Sequence, residues 1–185
     1  AYQPVGATLI VAGALPHDQL ADVAERAFCA WTSSVSETPT ASADVEVPSA
    51  PEARLVVVPR QGAAQSELWV GLLTAGRATP DYPALLVMNA ILGGEFVSRL
   101  NTKLREEKAV TYGARTGFDW RAGPSPFLLQ TRVETSATSE AIADARDEMD
   151  AICERRPPTP DEMITAVAAL TRGFPRNFET VEQIA

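Results

Sequence analysis

The chain of 185 residues holds a single histidine, His17, and only two cysteines, Cys29 and Cys153. A hydrolytic zinc site normally takes two or three imidazoles, so one histidine excludes such a site built from this chain alone. The cysteines lie far apart in sequence, each on an apolar-looking helix face. They read as two buried thiols, with a disulfide or a reactive thiol as the alternative. Gly-x-Ser-x-Gly is absent, which leaves a hydrolase nucleophile elbow unsupported. The pair Gly93-Gly94 follows a helical pattern, where a phosphate-cradling loop would follow a strand. No apolar run approaches the roughly 18–20 residues of a membrane span, and Ala7 to Leu15, the nearest, is strand-sized. No basic leader, signal core or cleavage site opens the chain. Positive charge is also short: Lys and Arg number 16 against 24 Asp and Glu, for a net charge of −8. No Lys/Arg stripe exists to displace counterions, so nucleic acid is excluded as a partner.

What is present is ordinary for a globular protein, with 45% hydrophobic and 22% charged residues. This length holds one domain with a sizeable core, or one domain plus a piece of a neighbour. The chain opens at Ala1 directly before a strand-like run, which reads as a fragment of a longer protein.

Taken in order, Ala7–Leu15 reads as a buried strand, and His17–Trp31 as a helix with Leu20, Val23, Ala24, Ala27 and Phe28 on one face. His17 belongs in that helix's first turn, at the surface. Thr32 to Pro51, rich in Ser, Thr, Pro, Asp and Glu, reads as an exposed linker and domain boundary. Leu55–Val58 and Ser66–Thr74 read as strands. Thr79-Pro80 reads as a helix entry with Thr as N-cap, and Tyr82, Leu85, Leu86, Met88 and Leu92 supply the apolar side. Gly93 and Gly94 are expected to break the helix by taking positive φ.

A charged helix follows, with Val97, Leu100 and Leu104 on its apolar face. The period then changes to two over Val110, Tyr112, Ala114, Thr116 and Phe118. Gly123, Pro124 and Pro126 make a turn, and Phe127 to Val133 alternate, so a hairpin is expected. Thr138 opens a helix with Ile142, Ala145, Met149 and Ile152 inward, stopped by Pro157-Pro158. Thr159-Pro160-Asp161-Glu162 is a capping box before Met163, Val167 and Leu170, with Gly173 ending that helix and Phe174 beginning another. Strand pairs followed by helix pairs give an α+β fold, a two-layer sheet with helices on one face. Leu68, Val70 and Leu72 are assigned to its core.

Among candidate functional groups, Glu106-Glu107 and Asp147-Glu148 read as solvated helix surface. Arg105 and Tyr112 differ in kind. One offers a rigid fork of five donors, the other a hydroxyl on an aromatic body. Such groups suit the carbonyls of an extended peptide or charge developing on a carbonyl oxygen. Spacing alone favours the plain reading, an Arg105 ion-paired at the surface with a nearby Glu and a half-buried Tyr112.

Three stretches, Leu92-Gly-Gly-x-Phe-x-Ser-Arg-Leu-Asn, Leu104-Arg-Glu-Glu-Lys-x-x-Thr-Tyr-Gly-Ala and Val133-x-Thr-x-x-Thr-x-x-Ala141-Ile, resemble the pitrilysin/insulinase family of zinc metallopeptidases. The bacterial members similar to mitochondrial processing peptidase are the nearest group. The run from Tyr2 to Trp31 and that from Thr159 to Thr180 resemble the family too. The resemblance implies a pair of α+β halves closing around an extended peptide. The leading half carries zinc on His-x-x-Glu-His, a motif absent here; the following half contributes an Arg/Tyr pair seven residues apart. That pair maps onto Arg105 and Tyr112.

By resemblance, residues 1–33 are the closing strand and helix of the preceding half, 34–52 the linker, and 53–185 the non-catalytic half. The chain is then a substrate-binding half, with no cofactor of its own and zinc in a partner half, in the same chain or another subunit. Peptide is its substrate, and it is not catalytic alone. Asn101, one turn before Arg105, is a further candidate for peptide or neighbour contact. A proteolytically silent scaffold subunit is the alternative. The resemblance leaves the compartment open, leaning to the bacterial periplasm. Gly6, Ala14 and Ala109 depart from the family pattern, Ala109 standing where Gly is frequent. The expected closing strand, 7–15, is a candidate to fill a sheet edge or to pair with another copy.

Overall fold

The computed structural model of the chain describes residues 4–32 and 55–184. The linker expected over 34–52 lies outside them. The chain divides into two compact units, Ala1–Glu46 with Arg172–Ala185, and Val47–Thr171. In the first unit α1 spans His17–Phe28 with His17 exposed at its first position. Asp18 in its first turn and Arg26 in its last oppose the helix dipole. No residue of α1 is buried.

The second unit is built on a three-stranded antiparallel sheet of β1 (Gln65–Thr74), β2 (Thr111–Phe118) and β3 (Ser125–Glu134), in the order β1-β3-β2. The expected hairpin joins β2 to β3, and β1 pairs along the whole of β3, from Gln65 opposite Glu134 to Thr74 opposite Ser125. Period-two alternation sends Phe127, Leu129, Thr131 and Val133 to one buried face of β3.

Onto that face fold the helices. They are α2 (Tyr82–Asn89) with a π-helical continuation to Gly94, α3 (Arg99–Asn101) with one to Glu107, α4 (Thr138–Cys153) and α5 (Pro160–Gly173). Leu100, Leu104, Leu129 and Val133 are wholly buried at the centre, with Ile91, Leu92, Phe127 and Ile152 around them. The result is an α+β layer pair with the core between sheet and helices. A short α6 (Val181–Ile184) follows α5 in the chain.

The capping box forms as the sequence dictates: Thr159 Oγ1 accepts from the Glu162 amide at 3.2 Å, and Glu162 Oε2 accepts from the Thr159 amide at 2.8 Å. Glu162 also receives the Arg99 fork, Nε to Oε1 and Nη2 to Oε2, both at 2.7 Å. The same guanidinium donates to the carbonyls of Arg156, at 2.6 Å, and Pro157, at 3.2 Å. One arginine thereby ties the start of α3 to the turn and cap that open α5.

Several expectations change. Ala7–Leu15 and Leu55–Val58 form no strand, and Ile10 and Val58 stand 66% and 83% exposed. A strand needs a ladder partner, and none lies beside either run among the described residues. Leu72 is half-exposed, while Leu68 and Val70 do pack on the core. Gly93 and Gly94 do not take positive φ. They are required for closeness instead: a Cβ on Gly93 would sit 2.7 Å from Thr116 Oγ1, and one on Gly94 2.5 Å from Asn89 Nδ2.

The helix expected at Thr79-Pro80 begins at Tyr82; Thr79 Oγ1 accepts from the Asp81 amide in the turn before it. Cys29 and Cys153 are both exposed thiols, since each falls where its helix runs out. On α4 the buried stripe is Ala141, Ala145, Glu148, Ala151 and Ile152, and on α5 it is Ala166, so small residues let these helices approach. Glu148 is thus no solvated residue; it is buried and paired with Arg156.

The segment Tyr82–Glu107 is apolar and long enough, by composition, to cross a membrane. Here it breaks after Gly94 and lies against the sheet, with Ile91, Leu92, Leu100 and Leu104 in the core.

Two outcomes follow from this geometry. Ala109 holds φ +52°, a conformation costing a non-glycine residue roughly 1–2 kcal/mol. Ala109→Gly is expected to raise unfolding stability by up to about 1 kcal/mol in urea titrations, after the entropy of the added glycine is offset. The Arg99 hydrogen bonds, with those of Thr159, hold the Glu162 carboxyl at about 2, down from 4.5. A carboxyl depressed in the folded state stabilises fully above its unfolded value and loses that contribution as pH falls toward the folded one. Stability measured from pH 4.5 down to about 2 should therefore fall more steeply in the wild type than in Glu162→Gln.

Candidate functional site

The corner where the helix pair turns into β2 carries the three substrate-binding candidates, Arg105, Tyr112 and Asn101. Arg105 lies in the last turn of the π-helical segment Thr102–Glu107, and Tyr112 is the second residue of β2. Between them the chain turns on Ala109. The amides of Lys108, Ala109 and Val110 donate back to the carbonyls of Lys103, Arg105 and Leu104 at 3.0–3.2 Å, which closes the helix end. Lys108 reaches across to Glu140 and Asp144 of α4, drawing the Glu140 carboxyl below its usual range through a direct hydrogen bond.

Simple alternation would put Tyr112 on the same side as Ala114 and Thr116. The register instead slips between Thr111 and Ala114, so that Thr111, Ala114 and Thr116 all point into the core. This bulge turns Tyr112 out, and it stands 92% exposed.

The bulge holds because side chains satisfy its backbone. Asn101 Oδ1 accepts from the Ala114 amide at 2.8 Å, and Thr111 Oγ1 from the Gly113 amide at 3.1 Å. Thr131 Oγ1 donates to the Gly113 carbonyl at 3.0 Å. Asn101 also donates through Nδ2 to the Glu95 carbonyl at 3.2 Å and to Ser98 Oγ at 3.1 Å. Its amide, 94% buried by the residue's 6% exposure, is therefore occupied by neighbouring segments of the same unit.

Arg105 is held differently. Its guanidinium lies over the Phe96 ring, 4.1 Å from the centroid, and its Nε is 3.6 Å from Glu106 Oε1, beyond hydrogen-bond reach. Among the described residues it makes no hydrogen bond to Tyr112. Arg105 and Tyr112 thus flank the turn from the helical segment into β2, Arg105 ion-paired with Glu106 as the plain surface reading allowed, and Asn101 is a tie within the fold. Sequence reasoning missed Phe96. Its signal was there: an aromatic residue just after a Gly-Gly pair, nine residues before the arginine, outside any apolar stripe.

Metal donors are not gathered here. Among the described residues no three His, Cys, Asp or Glu side chains converge, and His17 sits alone at the start of α1.

Compared with known proteins, the sequence matches the peptidase M16 inactive domain family over residues 1–170. No curated protein matches it. Among solved structures it is similar to a peptidase M16 inactive domain from Pseudomonas fluorescens, at 26% identity and a TM-score of 0.59, over 66% of this chain and 29% of that one. A protease from Helicobacter pylori aligns over 94% of this chain and 42% of its own, at 17% identity and a TM-score of 0.72. The periplasmic protease PqqL from Escherichia coli aligns over 93% and 19%, at 16% identity and a TM-score of 0.61. At such identities the last two speak for the fold. The chain spans less than half the length of each of these proteins.

The tie through Asn101 has a measurable worth. Asn101→Ala leaves the buried Ala114 amide without its acceptor, which costs about 1–3 kcal/mol. Denaturant unfolding of this variant should show that loss, whereas the exposed Tyr112→Phe should unfold within about 0.5 kcal/mol of wild type.

Proposed function

The chain belongs to the peptidase M16 inactive domain family, and from that premise we propose that it is the substrate-binding, non-catalytic half of a zinc metalloendopeptidase. Residues from about 53 onward form that half in this reading, with residues 1–33 closing the half before it. The half receives an extended peptide and completes the chamber of a zinc-bearing half, in the same chain or in a separate subunit. The zinc, its ligands and the bond-breaking chemistry lie in that other half. What this chain supplies is orientation: the Arg105 fork donates to backbone carbonyls of the peptide, and the Tyr112 hydroxyl donates to another.

The observation that supports this most directly is the bulge. A tyrosine turned out to 92% exposure on a buttressed strand has its ring and hydroxyl available, with no hydrogen-bond partner among the described residues. Phenol and guanidinium together suit an uncharged, regularly spaced ligand such as an extended backbone. Asn101 serves here as a neighbour contact that positions both, its amide being already engaged.

The test uses the assembled enzyme, with its zinc-bearing half. Arg105→Ala and Tyr112→Phe should each lower peptide turnover by roughly tenfold to a hundredfold, the worth of a hydrogen bond to or from a polarised group. Thermal unfolding should stay close to wild type. Turnover unchanged in both would favour the scaffold reading, in which the family fold serves assembly alone.

A further inference from the structure

Phe96 is an apolar side chain in an unusual place. It is 67% exposed, outside the core cluster, in the extended break Glu95–Ser98 between two helical pieces. Burial does not account for it, and a polar residue would suit that exposure better. Its one defined partner is the Arg105 guanidinium, 4.1 Å from the ring centroid.

The chemistry of that contact differs from an ion pair in one respect. A carboxylate engages the guanidinium edge and occupies the N–H donors. An aromatic ring engages its face and leaves the in-plane donors free. Glu106 is the second partner, ion-paired with Arg105 Nε at 3.6 Å with its own side chain 63% exposed, too far for a hydrogen bond. The break carrying Phe96 is itself fixed, because Asn101 Nδ2 donates to the Glu95 carbonyl while Asn101 Oδ1 holds the β2 bulge. One asparagine thereby sets the height of the ring on one side and the direction of Tyr112 on the other.

We propose that Phe96 is the positioning residue for Arg105, a platform that holds the guanidinium by its face and leaves its in-plane donors open to peptide carbonyls. This rests on the substrate-binding reading of Arg105.

The experiment is a double-mutant cycle in the assembled peptidase, with a chain-level check beside it. In the full chain, the Arg105 Nε–H proton should resonate upfield from the ring current of Phe96, and Phe96→Leu should abolish that displacement without shifting the melting temperature. In the assembled enzyme, Phe96→Leu should lower kcat/KM about two- to fivefold, the worth of an exposed cation–π contact. Phe96→Tyr should restore it. In an Arg105→Ala background Phe96→Leu should change nothing further, because the ring then has nothing to position. A loss of equal size in both backgrounds would mean that Phe96 acts on its own, and would overturn the proposal while leaving the role of Arg105 intact. Wild-type activity of Phe96→Leu beside an impaired Arg105→Ala would overturn it likewise, as would an undisplaced Nε–H signal. An Arg105→Ala enzyme with full activity would instead remove the substrate-binding reading, and this inference with it.

Discussion

The carboxamide of Asn101 is the point on which this corner depends. Three short bonds from one buried side chain join the break after Gly94, the start of α3 and the bulged edge of β2. Each partner is a group that regular secondary structure leaves over: a carbonyl where the helix stops, a hydroxyl before α3, an amide where the ladder slips. Buried polar groups of that kind are costly unless matched, and asparagine, with a donor and an acceptor on one rigid plane, matches them together. Leu100 and Leu104 on the same helical piece then seal the tie under wholly buried apolar surface. The exposed Phe96 and Tyr112 and the half-buried Arg105 adjoin the segments that this hidden residue ties together.

Much of the scaffold was readable from residue pattern because it is locally encoded. The Thr159–Glu162 capping box, the β2–β3 hairpin and helix α1 need only neighbours in sequence, and each forms where expected. Ala7–Leu15 and Leu55–Val58 carry equally strong β patterns yet form no strand. Alternation and β-branching state that a segment fits a sheet; they do not supply the neighbouring strand that must accept its hydrogen bonds. Helix faces slid by a residue or two for a related reason. On α4 and α5 the contact is made by Ala141, Ala145, Ala151 and Ala166, and a search for large apolar side chains passes over the small ones that permit close approach.

At the corner itself the residues were legible and their geometry was not. Gly93-Gly94 was recognisable as special, but the reason is the proximity of Thr116 and Asn89, a tertiary fact. The positive φ expected there occurs at Ala109 instead, where the family pattern has glycine. Tyr112 was picked out by the family resemblance, spacing alone being a weak signal, and strict period-two reading sends it to the core face. The slip that turns it outward depends on Thr111, Asn101 and Thr131, contributed by three different segments. A bulge is invisible to any rule that counts residues along one strand.

The way polar groups are distributed also bears on what such a corner can do. Of the buried ones, Asn101, Thr111, Thr131 and Glu148 are occupied by partners inside the fold, while Thr116 Oγ1 has no hydrogen-bond partner among the described residues. At the surface stand a guanidinium and a phenol. No metal donor set accompanies them among the described residues. Proton transfer needs a group whose charge changes during the reaction; recognition needs groups whose charge and direction stay fixed. A rigid edge carrying Arg105 on an aromatic platform and Tyr112 on a buttressed bulge meets the second requirement.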